Sequence, residues 1–209
     1  MAAQEKFELL MQEIEKFLST EGFRRSGKYF RKQMPDGKVR WNIEPQKSRY
    51  NTADEVKFTF WVHAQWKHRT AWYQDWEPKK TWYGGAGGRI GDLMPKKQDT
   101  WWEITDKTSI EFLGEQINAV FDSSVLPFLR QFQSEQDIKN YLRACSNDSM
   151  RRNYPHSLTM LAFDLLEKKP QSEIEKSVEN VQRLGKINLV SKSAVEEAIQ
   201  RVLKTYGSN

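Results

Sequence analysis

Val56, Phe58, Phe60 and Val62 stand at every second position of one short stretch. This alternation marks a strand with one face buried and the other polar. Trp61 and His63 fall on the opposite face. Such a strand is stable only within a sheet whose apolar side is covered by another layer. The preceding residues supply its neighbours. Val39, Trp41 and Ile43 alternate with polar residues, and Lys28 to Lys32 reads as a further short strand. Between them, Met34-Pro35-Asp36-Gly37 is turn chemistry, because proline presets φ and glycine accepts positive φ.

A helix over roughly 3–20 supplies the covering layer, with Phe7, Leu10, Met11, Ile14, Phe17 and Leu18 on one stripe. Gly22 is placed to end it, and Phe23 to fold back on its last turn. Ile110, Leu113, Ile117, Val120 and Phe121 mark a second helix capped by Asp106 or Thr108, and Pro127 should kink or end it. Thr100 to Ile104 reads as a closing strand. Residues 65–99 show no period and read as a long Trp/Gly-rich loop. Beyond it the pattern is helical. Ser134 and Asp137 form a capping-box pattern, and stripes follow at Ile138-Tyr141-Leu142, at Leu158-Leu161-Ala162-Leu165-Leu166, at Ile174-Val178-Val181-Leu184 ended by Gly185, and at Val195-Ile199-Val202-Leu203. The predicted fold class is α+β: an N-terminal helix, an antiparallel β-meander with its long loop, a packing helix, then an all-helical C-terminal region. The expected division is an α+β domain over 1–133 and a helical extension over 134–209, packed on it or next to it.

Charge is unevenly spread. Residues 24–102 hold 17 Lys/Arg against 8 Asp/Glu, a net of +9, and the remainder is net −4. All eight tryptophans lie within 41–102. A basic, aromatic segment suits an anionic partner, and equally suits a sheet edge kept soluble by Lys and Arg. No apolar run approaches the roughly 18 residues of a membrane span, and no signal peptide is legible. The single cysteine, Cys145, excludes an internal disulfide or a cysteine cage, so a reduced cytoplasm is the expected location.

One set of segments carries a resemblance. Glu21-Gly22-Phe23, Arg24 to Phe30, Gln46-Lys47-Ser48-Arg49-Tyr50 before Val56-Lys57-Phe58-Thr59, Arg89-Ile90-Gly91-Asp92-Leu93, Trp101-Trp102 and Leu126-Pro127-Phe128-Leu129 occur in one order over about 3–132. The chain thereby resembles the family catalogued as domain of unknown function 4304. The resemblance implies a largely bacterial, soluble domain and no reaction. Residues 133–209 add nothing to it.

Familiar chemistry fails at the level of spacing. After Gly85-Ala86-Gly87, the third glycine of a dinucleotide fingerprint would fall on Ile90, and no Gly-Lys-Ser/Thr follows. His63, His68 and His156 lack the spacing of a metal site, and no cofactor is implied. Cys145 reads as a small apolar filler. The candidate binding residues are Gln46, Lys47, Ser48, Arg49, Arg89, Asp92, Trp101 and Trp102. The Gln-Lys-Ser-Arg turn offers several donors at one sheet end. Arg89 and Asp92 either bind a ligand or tie the long loop to the sheet as an ion pair. Trp101 and Trp102 must point to opposite faces, one into the core.

Three functions follow. The preferred one is a non-enzymatic binding module with a protein partner, in bacterial defence or toxin neutralisation, because Trp, Tyr and Arg dominate binding hot spots. The second is single-stranded nucleic-acid binding through 24–102, with Trp66, Trp72, Tyr73, Trp76 and Trp82 stacking on bases, although no nucleic-acid motif is present. The third is an enzyme whose Arg49 and Arg89 clamp an anionic small molecule. The sequence leaves the oligomeric state open.

Overall fold

The computed structural model describes residues 2–66, 85–144 and 154–207 of the chain. Trp72, Tyr73, Trp76, Trp82, His68 and Cys145 lie outside the described residues. The chain divides into two compact units, one of residues 1–65 with 87–134 and one of 66–86 with 135–209.

The first unit opens with helix α1, Ala3–Thr20. Gly22 ends it at φ +82°, and the Phe23 N–H returns to the Leu18 carbonyl at 3.0 Å, the arrangement that satisfies the last turn. Strands β1 (Arg24–Ser26), β2 (Tyr29–Gln33), β3 (Val39–Lys47), β4 (Val56–Trp66) and β5 (Ala86–Arg89) follow in sheet order β1-β2-β3-β4-β5. Helix α2 (Ile90–Leu93) leads to β6, Trp102–Ile104, which pairs antiparallel with the start of β4. The turn after Met34 forms as expected, with Gly37 at φ +68° and its N–H on the Met34 carbonyl.

The core lies between α1, helix α3 (Ile110–Val120) and one face of this sheet. Phe58 meets Phe7 edge-on at 5.1 Å, and Phe60 meets Phe121 at 5.1 Å. Phe58, Phe60, Val56 and Val62 are all essentially inaccessible. Phe7, Leu10 and Ile14 are buried as well, and Phe17 is half-buried at the margin. Burying each such side chain contributes ~1.5–3 kcal/mol.

Three expectations need correction. The cap of α3 is Ser109, which accepts from the Phe112 N–H. Thr108 instead accepts from the Thr105 N–H in the turn before. Of the two outcomes expected at Pro127, the disturbance occurs and the end does not. The chain widens into a π turn, Phe121–Val125, with the Leu126 N–H on the Phe121 carbonyl, and resumes as α4, Leu126–Leu129. The wider turn absorbs the donor and the space that proline removes. Ala86 to Arg89 is not loop, because β5 pairs with β4 there. Glycines carry no side-chain alternation, so the strand is invisible to periodicity. Gly87 sits at φ +144°, where a Cβ would meet the Val62 carbonyl oxygen at 2.0 Å, so any side chain there would push β5 off the sheet.

The second unit contains helices α5 (Glu135–Ala144), α6 (Tyr154–Leu166), α7 (Gln171–Ile187) and α8 (Lys192–Tyr206). Val181, Leu184, Val195, Ile199 and Val202 are buried between them. Gly185 does not end α7, which runs on to Ile187. A Cβ on it would sit 2.4 Å from Val195 Cγ2, so the glycine lets α8 approach closely. Trp66 belongs to this unit. It is buried, 4.5 Å from Phe163 and 6.3 Å from Tyr206, and so has no free face for a base. Among the described residues, no helix is long and apolar enough to cross a membrane.

Candidate functional site

The face of the sheet turned away from α1 and α3 carries the polar phase of the alternation. Strand register places its side chains. Arg24 lies opposite Arg31, Arg31 opposite Asn42, and Gln33 opposite Arg40. Tyr29 precedes Arg31 on the same face, and Trp61, His63 and Gln65 continue it on β4.

Two hydrogen-bonded groups form there. In the first, Arg31 Nε donates to Asn42 Oδ1 at 3.2 Å, and its guanidinium lies 4.3 Å from the Tyr29 ring centre. Asn42 Nδ2 donates to Gln65 Oε1, which also accepts from Arg40 Nη2 at 2.8 Å. Two guanidiniums are thus fixed by a relay of two neutral amides. Asn42 is fully buried, and Arg31 and Arg40 are half-buried. Burial, and then the positive charge of Arg31, lower the Arg40 pKa from its ordinary value. Arg24 is exposed beside them. None of these three arginines meets a carboxylate among the described residues. Arg25, Arg89, Arg130 and Arg201 all do.

In the second group, the Arg89 guanidinium reaches both oxygens of Asp99 at 3.0 and 3.1 Å. It lies 5.6 Å from the Trp61 ring and 5.3 Å from the Trp101 ring. Trp101 Nε1 donates to Asp99 Oδ2 at 2.9 Å. This indole, and after it Arg89, hold the Asp99 carboxyl below its usual range. Trp61 donates to Gln46 Oε1 and stacks on His63 at 5.6 Å. Lys28 binds Glu44 on the neighbouring strand, and that bond raises its pKa.

The residues expected from the sequence divide among these surroundings. Gln46 and Arg89 meet Trp61, and Trp101 joins them through Arg89. Asp92 is adjacent, but its carboxylate takes the Arg89 backbone N–H as the cap of α2 and not the guanidinium. The tie to the sheet is made by Asp99, which was not anticipated. Trp102 faces the core, stacked on Phe58 at 6.0 Å, and Trp101 faces outward. Lys47 turns to the α1 side, 4.0 Å from the Phe7 ring and bonded to Gln4, and burial lowers its pKa. Ser48 accepts from the Tyr50 N–H within the turn, and Arg49 folds onto Tyr50. The Arg49–Arg89 clamp is therefore not assembled: each guanidinium is spent on its own neighbours. Arg24, Arg31, Arg40, Asn42 and Gln65 were missed. Their signal was present as the polar phase of β1, β2, β3 and β4, and the turn at Met34–Gly37 sets the β2–β3 register that brings them together. Among the described residues, no group of three or more His, Cys, Asp or Glu side chains could hold a metal ion.

A family model described as "Domain of unknown function (DUF4304)" matches residues 14–131, more than half of the 209 residues. No curated protein and no solved structure matches the chain. The chain belongs to the DUF4304 family, and the match covers the sheet, the end of α1 and helices α2 to α4.

Proposed function

We propose that this member of the DUF4304 family is a non-enzymatic binding module that engages its partner through the polar face of the sheet. The observation that supports this most is the set of three arginines, Arg24, Arg31 and Arg40, gathered on one face, none of them paired with a carboxylate among the described residues. Like charges opposite one another on adjacent strands cost stability. Side chains already held by hydrogen bonds lose little further freedom when a partner arrives. Trp61, Trp101 and Arg89 extend the same face with residue types that dominate binding energy.

The test is a pull-down from the native host with the wild-type chain and with Arg24→Ser/Arg31→Ser. A stoichiometric partner should be retained by the first and lost from the second. Recovery of the same partners by both would remove the sheet face from the reading.

Single-stranded nucleic acid is the second reading. The Trp61–His63 stack and the outward Trp101 favour it, because aromatic rings beside guanidiniums suit bases beside phosphates. Quenching of tryptophan fluorescence by oligonucleotides at about 50 mM salt, relieved as salt rises, is its signature. An unquenched titration removes it.

A further inference from the structure

We propose that Arg24, Arg31 and Arg40 form a seat for one compact dianion, the phosphoryl group of a phosphorylated small molecule. The proposal rests on the reading of the polar sheet face as a recognition surface, and it names the chemistry recognised there.

The argument starts from register. Arg24 and Arg31 are directly opposed, and Arg40 stands diagonally across from Arg31 on the next strand. Adjacent strands are about 4.8 Å apart, so the backbone gathers three guanidiniums across two strand spacings. Long side chains converge readily over that span. Repulsion would normally splay them, yet Arg31 and Arg40 are fixed. Arg31 is held by Asn42 at 3.2 Å, Arg40 by Gln65 at 2.8 Å, and the two amides are bonded to each other. In these hydrogen bonds Arg31 and Arg40 use one donor nitrogen each. A guanidinium has five N–H donors, so most of them remain for an incoming oxygen. Planar guanidinium forks match the oxygens of a phosphoryl group in paired hydrogen bonds.

The geometry also separates a seat from a track. A polyanion backbone is followed by a line of exposed cations. Here two of the three cations are half-buried, and a single pair of amides positions both. Ring faces near them are already in use: Tyr29 carries the Arg31 guanidinium at 4.3 Å and the Lys28 ammonium at 5.3 Å. This arrangement offers one charged point without a row of free rings. A dianion suits three cations better than a carboxylate does, because each guanidinium then shares a larger negative charge.

The experiment is thermal unfolding of the full chain in inorganic phosphate against chloride at equal ionic strength, followed by calorimetric titration of phosphate. Phosphate should raise Tm by several degrees at saturation. Arg31→Met and Arg40→Met should each weaken phosphate binding by about tenfold or more, because each removes a charged hydrogen bond. Arg49→Met, on the exposed turn, should leave the response unchanged. An equal rise in the wild type and in Arg31→Met/Arg40→Met would show a general salt effect and overturn the seat. No rise in the wild type would overturn it also. Oligonucleotide binding without a phosphate response would replace the seat by a track. The two readings fail separately: a partner lost from Arg24→Ser/Arg31→Ser while phosphate has no effect leaves the recognition face standing and removes the phosphoryl seat.

Discussion

Arg40 on the sheet and Arg143 on α5 are both partly buried guanidiniums, and the two units hold them in opposite ways. Arg143 meets Glu167 at 2.6 Å and Asp164 at 3.6 Å. Lys139 beside it is buried, 2.6 Å from Glu135 and 3.4 Å from Glu167. Positive and negative groups alternate there, and the fold itself completes each charge. Among the described residues, Arg40 hydrogen-bonds the amide of Gln65, with Arg31 as a like-charged neighbour. The pKa directions record the contrast. The Glu167 bond raises that of Arg143, and burial lowers that of Arg40. A buried charge paired within its own unit serves structure. A partly buried charge given neutral partners among the described residues leaves donors open to a partner from outside.

The apolar side of the sheet sets the scale for this comparison. Phe58 touches Phe7, Phe60 and Trp102 and is fully buried. Phe58→Ala should cost about 3–5 kcal/mol in denaturant unfolding. A loss under about 1 kcal/mol would place the strand in another register and turn the polar face inward.

Tyr206 measures what burial alone does to an ionisable group. Burial raises its pKa from 10.0 to about 12. The neutral phenol is favoured in the folded state, so the folded chain holds its proton where the unfolded chain has lost it. The stabilisation is complete below pH 10 and disappears as pH rises from 10 toward 12. The loss should reach roughly 2 kcal/mol. Tyr206→Phe should flatten that part of the stability–pH curve, and an unchanged slope would mean that another group titrates there.

Glu167 is the opposite case. Burial alone would raise its pKa, but Arg143 and Lys139 outweigh burial and hold it below the ordinary 4.5. Its contribution is therefore present above pH 4.5 and is lost as pH falls through the depressed value. Glu167→Gln leaves two cations short of a partner. The cost should be about 2 kcal/mol at neutral pH, below the ~3–5 of a fully buried pair, because Glu167 keeps some solvent and Glu135 and Asp164 remain. The acid limb should become shallower. A neutral substitution would remove the distinction between the units.

Legibility differed between the apolar and polar phases of the same residues. Phe58 and Phe60 could be read from spacing because burial demands apolar groups at a fixed period. So could the turn at Gly37, whose φ few other residues tolerate. The π turn at Phe121–Val125 could not, because a proline in a helical pattern announces a disturbance and not its form. β5 was hidden by its glycines. The Arg31–Asn42–Gln65–Arg40 relay was hidden for another reason. Its members look like ordinary solvent-facing residues until register sets them side by side, and register across β3 and β4 is a long-range property. Arg89 was legible as an anchor, since it stands beside glycines and before the buried Ile90. Its partner Asp99 was not, because the chain folds back through α2 before reaching it.

The smallest expected effect is the most discriminating. Arg40→Met keeps the length and the apolar stem of the side chain and removes its charge. One hydrogen bond from the charged guanidinium to Gln65 goes, worth about 1.5–3 kcal/mol. Gln65 Oε1 is not orphaned, because Asn42 Nδ2 still donates to it. Against that loss stand the burial of a cation and its repulsion from Arg31, both of which the substitution relieves. Solvent reaching this half-buried position reduces both gains, so the balance should lie between a loss of ~1.5 kcal/mol and no change. The same change at Arg143 strips Glu167 of its closest cation and should destabilise. Denaturant unfolding of the two variants side by side compares the two effects directly. If Arg40→Met loses more than ~3 kcal/mol, a value above the worth of one hydrogen bond from a charged donor, then Arg40 supports the fold as Arg143 does. The face would then hold no charge left over for a partner. If Arg40→Met is neutral or stabilising, the guanidinium is kept at that position at the expense of stability, as binding surfaces often are.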